Sequence, residues 1–199
     1  MRLPYVDPST ITDPERKAVV DRVRARRNPR PLQALDLALL HSPAVADGWN
    51  SFLGAIRTKT SLGDDVREIA ICRVAVVNEA GYEWTHHAPL AAAAGVSDEG
   101  MKVLAERDLG HRTGGQGLTE PQWAVVNFTD AMTRDVAVPD EVFAGLKKHF
   151  SDQQVVEMTA TVACYNCVSR FLVALDVGEK NGVKGSAVSG VISNTTTTH

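Results

Sequence analysis

The segment from Asp64 to about Asn78 constrains the fold of this chain more than any other part of the sequence. It carries apolar residues on every side of a helix, at Val66, Ile69, Ala70, Ile71, Val74, Ala75, Val76 and Val77. A helix that is apolar nearly all round is covered on all sides by other elements of the protein. The sequence therefore predicts a central buried helix surrounded by further helices.

Helix-start signals indicate that the rest of the chain is helical as well. Capping side chains followed by proline or an acidic residue open four helices, at Asp13, Ser42, Thr119 and Ser151. No segment shows the sustained alternation of a strand, and residues 108–118 form a glycine-rich connection. We predict one all-α domain over residues 1–179, followed by a flexible tail over residues 180–199 that is rich in Gly, Ser, Val and Thr.

The composition of the chain argues against several classes of protein. The net charge is -3, which does not suit a partner such as nucleic acid or a membrane surface. No apolar run approaches the roughly 18 residues that span a bilayer, and three cysteines do not make a disulfide framework, so we expect a cytoplasmic protein. Basic residues crowd near the start, but Glu15 and Asp21 interrupt them, and we interpret the run as a solvated helix face. Its members are Arg22, Arg24, Arg26, Arg27 and Arg30.

The strongest chemical signal is a cluster of ionisable and aromatic side chains just after the central helix. Glu83 and His87 are four residues apart, so on a helix they share a face within hydrogen-bond reach. A carboxylate beside an imidazole supplies a tuned acid/base pair, with His86 as a second imidazole. Tyr82 and Trp84 would provide an apolar wall. Two or three ligands are too few for a metal site, and such a pair also occurs on surface helices without function.

A pair of cysteines near the end of the chain suggests a different chemistry. Cys164 and Cys167 have the CxxC spacing of redox proteins, but they fall in the middle of the predicted last helix. Redox pairs lie at helix N-termini, where the helix dipole lowers the thiol pKa. We therefore interpret both cysteines, and Cys72 on the central helix, as packing residues.

Glu68 is a carboxylate on the otherwise apolar central helix, where it must be protonated or paired, for example with Arg170. It also begins a pattern that resembles the alkylhydroperoxidase D motif. That motif is a glutamate, a spacer, a CxxC pair and a histidine four residues after the second cysteine. The spacing to His87 matches, but Ala80 and Glu83 stand where the two cysteines would be.

The similarity extends to about residues 30–178. It includes the segment around His41 and Trp49 upstream, and the segments around Asn166 and Arg170 downstream. The chain therefore resembles the carboxymuconolactone decarboxylase and alkylhydroperoxidase D-like family, in a branch without the cysteine pair. The resemblance implies an all-α fold built on a duplicated helical unit, which assembles into homotrimers or hexamers.

The resemblance also implies an activity. The decarboxylase branch acts without a cofactor on a carboxylated unsaturated lactone, and we expect a similar lyase here. Loss of CO₂ leaves a dienolate, which needs a proton donor at carbon and positive charge or donors at oxygen. We assign His87 as the acid, Glu83 as its orienting base, and Glu68 to proton transfer.

The expected partner of this site is a small carboxylated or oxygenated ring, without a metal or cofactor. His86 or Arg170 is expected to hold the anion. The other expected substrate-binding residues are Tyr82, Trp84, Asn166 and His41. Isomerisation, dehydration and cyclisation remain alternative reactions. A thiol-dependent hydroperoxidase using Cys164 and Cys167, and a non-catalytic binding or assembly protein, remain alternative functions.

Overall fold

A computed structural model of the chain describes residues 1–110 and 112–181. Within these residues it contains helices and no strand, so the all-α prediction is confirmed. The α-helices are α1 (Pro14–Arg27), α2 (Ala34–Leu39), α3 (Pro43–Thr58), α4 (Asp64–Val77), α5 (Gly81–Ala93), α6 (Asp98–Ala105), α7 (Glu120–Arg134), α8 (Asp140–Lys147) and α9 (Asp152–Leu175). Two short 3-10 helices span Pro8–Thr10 and Val177–Glu179.

The predicted helix starts agree with the observed ones because local capping bonds form at three of the four positions. Asp13 accepts a hydrogen bond from the Arg16 amide, 2.8 Å away, at the start of α1. Thr119 and Ser151 each exchange bonds with the glutamine three residues later, which satisfies amides that the first turn leaves open. Ser42 precedes α3 without a side-chain bond, and Pro43 sets the first turn there.

Helix α4 is the centre of the fold, as its all-round apolar pattern predicts. It packs against α5, α6, α7 and α9, and Ile69, Ala70, Ile71 and Cys72 have no exposed surface. The side chains that surround it come from all four neighbours, so burial of this helix holds the domain together through the hydrophobic effect. The expectation that Cys72 is a core residue is confirmed.

An arginine lies inside this apolar centre. Arg73 on α4 has no exposed surface. Its guanidinium donates to both carboxylate oxygens of Asp130 on α7, at 2.8 and 2.6 Å. It also donates to the carbonyls of Leu104 and Glu106, at 2.9 and 2.6 Å. All these bonds satisfy a charge that would otherwise be costly to bury, and they join α4 to α7 and to the end of α6.

A tight turn joins α4 to α5 and fixes their relative position. Glu79 in this turn has a positive φ of 56°, and the Ala80 amide donates back to the Ala75 carbonyl at 2.8 Å. The side chain of Glu79 points away from the turn and forms an ion pair with Arg107 at 2.7 Å. Because the chain reverses here within three residues, the first turn of α5 lies directly against the end of α4.

Helix α9 closes the bundle. It is long and apolar enough to cross a membrane by length and composition, a test that buried core helices also pass. In this fold it packs against α3, α4, α5, α7 and α8. The chain then turns back, and Gly178 lies so close to the ring of Tyr82 that a side chain there would clash. The predicted domain boundary at residue 179 stays a prediction, and residues 182–199 lie outside the part that the structure describes.

Candidate active site

A buried histidine and a buried glutamate meet where α4 packs against α5. The Nδ1 atom of His87 lies 2.6 Å from Oε2 of Glu68, and the two residues are 6% and 4% exposed. On its other side, Nε2 of His87 lies 3.4 Å from the hydroxyl of Tyr165 on α9, and the two rings meet edge to face. Glu68 thus fixes the orientation of the imidazole, and the Nε2 atom is left for the phenol or for a ligand.

Burial decides the charge of this imidazole. Desolvation lowers the pKa of His87, and the positive charge of Arg57 lowers it further, while the hydrogen bond and the charge of Glu68 oppose the shift. We conclude that His87 is neutral near pH 7. The consistent arrangement has Nδ1–H donating to Glu68 and Nε2 accepting from the Tyr165 hydroxyl.

Glu83 does not form the expected hydrogen bond with His87. Its carboxyl group is 2% exposed, and neither oxygen has a hydrogen-bond partner among the described residues. The prediction of a Glu83–His87 pair is wrong because tertiary packing brings Glu68 to the imidazole first. The predicted alternative for Glu68, a salt bridge to Arg170, is wrong for the same reason.

The isolation of Glu83 makes it an acid rather than a base. Desolvation raises the pKa of its carboxyl group well above the ordinary value of 4.5. The proton therefore stays on Glu83 near neutral pH. The side chain stands where the second cysteine of the related motif would be, so a carboxylic acid replaces a thiol in this position.

The ionisation of Glu83 predicts a pH-dependent stability difference. Above pH 4.5 the unfolded chain loses this proton and the folded protein keeps it, so the free energy of unfolding falls as the pH rises. A Glu83→Gln variant lacks this effect. It should gain stability relative to the wild type by up to about 1.4 kcal/mol per pH unit through that window, measured by urea unfolding. Glu99→Gln, at an exposed glutamate on α6, is the control. A stability difference that is constant between about pH 5 and 8 would contradict the raised pKa.

Glu83 and His87 line a partly open cavity of about 80 Å³. About half of its lining residues are apolar or aromatic and come from α2, α3, α5 and α9, namely Leu35, Trp49, Leu53, Tyr82, Leu90, Tyr165, Val168 and Leu172. The others are polar or charged and include four arginines. An adjoining, more open cavity of about 360 Å³ includes Glu68. The two cavities share Arg26, Arg30, Leu53, Arg57 and Leu90. Together they form a cleft with a narrow inner end, which holds the acid and the imidazole, and a more open outer end.

Two of the predicted substrate-binding residues belong to this cleft. Tyr82 and His86 both line the inner cavity, with their ring centroids 4.2 Å apart. His86 Nδ1 lies 2.8 Å from the Tyr82 carbonyl oxygen, to which it donates. Trp84 is buried in the core and lines neither cavity, so its predicted place beside the acid is wrong.

The other three predicted substrate-binding residues lie away from the cleft. His41 is exposed and bonds the Pro4 carbonyl at 2.8 Å. Asn166 bonds Asn78 and Thr133 at 3.1 and 3.0 Å, and the exposed Arg170 bonds Asn166 in turn. The predictions for Asn166 and Arg170 are wrong because α9 faces the cleft with residues 165, 168 and 172, and positions 166 and 170 fall on another side of the helix. The prediction for His41 is wrong because the connection between α2 and α3 places this residue outside both cavities.

The basic run on α1 does not form a single solvated face. Arg22 and Arg24 are exposed. Arg27 is 5% exposed and holds Asp36 by two bonds of 2.8 and 3.0 Å, and Arg26 is half-buried on the wall of the cleft. The interpretation of the run is therefore wrong at its end. The face of α1 that packs on α3 continues into residues 26 and 27.

Of the two cysteines with CxxC spacing, one is buried and the other is exposed. Cys164 and Cys167 lie in the middle of α9, as expected. Cys164 is buried, and burial raises its thiol pKa to about 12. Cys167 is exposed, so the expectation that it packs in the core is wrong for this chain. A thiol that resists ionisation is a poor nucleophile for peroxide.

The double variant Cys164→Ser, Cys167→Ser tests whether these thiols react. We expect it to keep a midpoint of thermal unfolding within roughly 5 °C of the wild type, because the change is nearly isosteric and one site is exposed. We also expect the wild type to consume hydrogen peroxide, with a dithiol reductant, no faster than the double variant. A thiol-dependent rate that the double variant abolishes would favour the alternative of a thiol-dependent hydroperoxidase.

Comparisons with known proteins identify the fold. Residues 43–109 match the model of the carboxymuconolactone decarboxylase family, and no curated protein matches the chain significantly. A peroxidase-related protein with an alkylhydroperoxidase AhpD core, from Ralstonia eutropha JMP134, is similar with a TM-score of 0.70 and 17% identity, over 88% of this chain and 90% of that one.

Two further solved structures share the fold. A protein of unknown function from Agrobacterium tumefaciens, described as a candidate antioxidant defence protein AhpD, is similar with a TM-score of 0.59 and 19% identity, over 72% of this chain and 94% of that one. A cysteine-to-alanine variant of the debrominase Bmp8, in complex with 2,3,4-tribromopyrrole, has a TM-score of 0.64 and 14% identity, over 91% of both chains. At these identities the similarity establishes an AhpD-like helical fold.

Proposed function

Since residues 43–109 match the carboxymuconolactone decarboxylase family and the fold is AhpD-like, we propose that this chain is a cofactor-independent lyase that removes CO₂ from a small carboxylated unsaturated ring. One observation carries the proposal: Glu83 is a buried carboxylic acid without a hydrogen-bond partner among the described residues, and it lines a cavity beside an oriented, neutral imidazole. A buried acid that makes no structural bond is a costly feature. Such groups are concentrated at sites where a proton is transferred.

The roles in this reaction differ from the sequence-based assignment. When the bond to the leaving carboxylate breaks, its electron pair moves into the conjugated ring system and CO₂ departs. Glu83 then donates its proton to carbon, and the product forms. The remaining Glu83 carboxylate is buried without a hydrogen-bond partner among the described residues, so it takes up a proton that solvent delivers through His87. Glu68 stabilises the transient imidazolium, and the overall reaction consumes one proton.

The dimensions of the cleft support a small, flat substrate. The inner cavity of about 80 Å³ accommodates only the reacting part of a ring, and the outer cavity of about 360 Å³ accommodates its substituents. Aromatic side chains from Trp49 and Tyr82 suit a planar molecule. The debrominase of the same fold, which binds a tribromopyrrole, supports the idea that this arrangement of helices holds a substituted ring.

The test is an assay of the purified protein with carboxymuconolactone and related carboxylated lactones. The measured signals are the release of CO₂ and the loss of substrate absorbance. The proposal expects turnover without added metal, nicotinamide or flavin. If none of these acids loses CO₂ while the protein isomerises or dehydrates a related ring, the acid/base site stands and the proposed reaction is wrong.

Assembly and location are further parts of this proposal. We propose that the protein forms a homotrimer or hexamer and works in the cytoplasm, with a small-molecule substrate as its partner. The exposed apolar side chains of Val45 and Phe52 on α3 and of Val156 on α9 support an interface between copies.

A further inference from the structure

Positive charge gathers on one wall of the cleft. Arg26, Arg27, Arg30 and Arg57 all line the inner cavity, and Asp36 is the acidic residue, besides Glu83, that lines it with them. Arg27 binds Asp36 through two bonds, which uses most of that carboxylate. The wall therefore keeps a surplus of positive charge, although the chain as a whole is acidic.

Among the buried and half-buried arginines of this wall, Arg57 is the one whose side chain has no protein partner within the described residues. Within the described residues its side chain makes no hydrogen bond and no ion pair, whereas Arg26 bonds Asn50 and Asp36. Arg57 is half-buried and lines both the inner and the outer cavity. Its charge also reaches the reacting groups: burial lowers the pKa of His87 and Arg57 adds to that shift, whereas burial raises the pKa of Tyr165 and Arg57 opposes that shift. A guanidinium with no protein partner at the edge of a cleft can bind an anion that enters it.

A buried donor without a protein partner lies in the same wall. Trp49 lines the inner cavity, and its indole N–H is buried without a hydrogen-bond partner among the described residues. Buried donors of this kind normally have an acceptor. A ligand with oxygen acceptors would satisfy both the indole N–H and the guanidinium of Arg57.

We infer that Arg57, assisted by Arg26 and Arg30, forms a carboxylate-binding site that selects the anionic ring substrate of this cleft. The planar guanidinium fork matches a carboxylate with two parallel hydrogen bonds, and Trp49 and Tyr82 fit the ring that carries it. This site replaces Arg170 and His86 as the holder of the anion. The inference deepens the proposed function, on which it rests for the nature of the substrate.

Calorimetric titration with benzoate tests the site without turnover, because benzoate does not readily lose CO₂. We expect the wild type to bind benzoate and to bind its neutral amide, benzamide, at least about tenfold more weakly. Arg57→Gln should weaken benzoate binding by about tenfold or more, and Arg57→Lys, which keeps the charge but not the fork, should weaken it less. Arg24→Gln is the matched control on the exposed face of α1 and should change affinity less than about twofold.

Three outcomes would overturn the inference. These are equal affinity for benzoate and benzamide, benzoate binding that is unchanged in Arg57→Gln, and inorganic phosphate that displaces benzoate at equal or lower concentration. Unfolding midpoints of the variants, measured in parallel, show whether an affinity loss reflects misfolding. If Arg57→Gln misfolds, the affinity of a folded Arg57→Lys variant for benzoate decides whether the site exists.

Benzoate binding that depends on Arg57 in a protein without lyase activity would overturn the proposed function alone. Lyase activity with benzoate binding unaffected by Arg57→Gln would overturn the carboxylate site alone.

Discussion

Glu83→Gln is expected to lower turnover of the lyase substrate by about a hundredfold or more, the usual effect of losing a positioned acid. Glutamine has nearly the same shape but no proton to give, so the fold and the cleft should persist. The measurement is the steady-state rate of CO₂ release with each purified protein. Glu99→Gln, at an exposed glutamate on α6, should keep the wild-type rate. If Glu83→Gln also keeps that rate, Glu83 is not the proton donor.

The same assay separates the acid from the pair that supports it. His87→Ala and Glu68→Gln should each lower turnover, because either change removes the oriented imidazole next to Glu83. The double variant should be little slower than His87→Ala alone, since the two residues, joined by a bond of 2.6 Å, act as one unit. Fully multiplicative effects would show that Glu68 acts independently of His87.

The largest effect on stability is expected at Arg73. Its replacement by alanine leaves the Asp130 carboxylate and the Leu104 and Glu106 carbonyls without their donor. Removing one partner of a buried ion pair costs roughly 3–5 kcal/mol. We therefore expect the free energy of unfolding of Arg73→Ala, from urea denaturation, to fall by about that amount.

Two control variants test whether the loss of stability in Arg73→Ala comes from the unpaired buried charge. Arg112→Ala removes an arginine that pairs with Glu106 near the surface and should cost less than about 1 kcal/mol. The double variant Arg73→Met, Asp130→Leu removes both buried charges together and should recover a large part of the loss. A loss below about 1 kcal/mol in Arg73→Ala itself would show that water reaches Asp130 and replaces the guanidinium.

The sequence predicts those parts of the fold that depend on neighbouring residues. The burial of α4 follows from its own residues, which are apolar on all sides of the helix. The caps at Thr119 and Ser151 are equally local, because each side chain bonds the amide three residues later. The partner of His87 depends instead on which face of α4 meets α5. Glu68 and Glu83 are both glutamates near an imidazole, and only packing of the two helices decides which of them receives the bond.

The burial of Arg27 and the partial burial of Arg26 on α1 could have been predicted from the helical spacing of apolar residues. Val19 and Val23 are buried, and positions 26 and 27 follow at the same helical spacing. Attention to charge alone placed these arginines in solvent with Arg22. Arg57 carried no comparable signal, because its role depends on the meeting of α1, α3 and α5 around one cleft.

The acid and the arginines of the cleft come from different helices, and this has a consequence for how the substrate preference of such a protein evolves. The acid and its supporting pair lie on α4 and α5, joined by the turn at Glu79, inside the matched residues 43–109. Arg26 and Arg30 come from the region of α1, which precedes that segment and packs on α3. Substitutions there can alter the preferred anion while the burial of Glu83 persists. Substrate choice can therefore diverge among homologues that inherit one proton-transfer apparatus, and directed evolution toward a new ring acid should begin with α1.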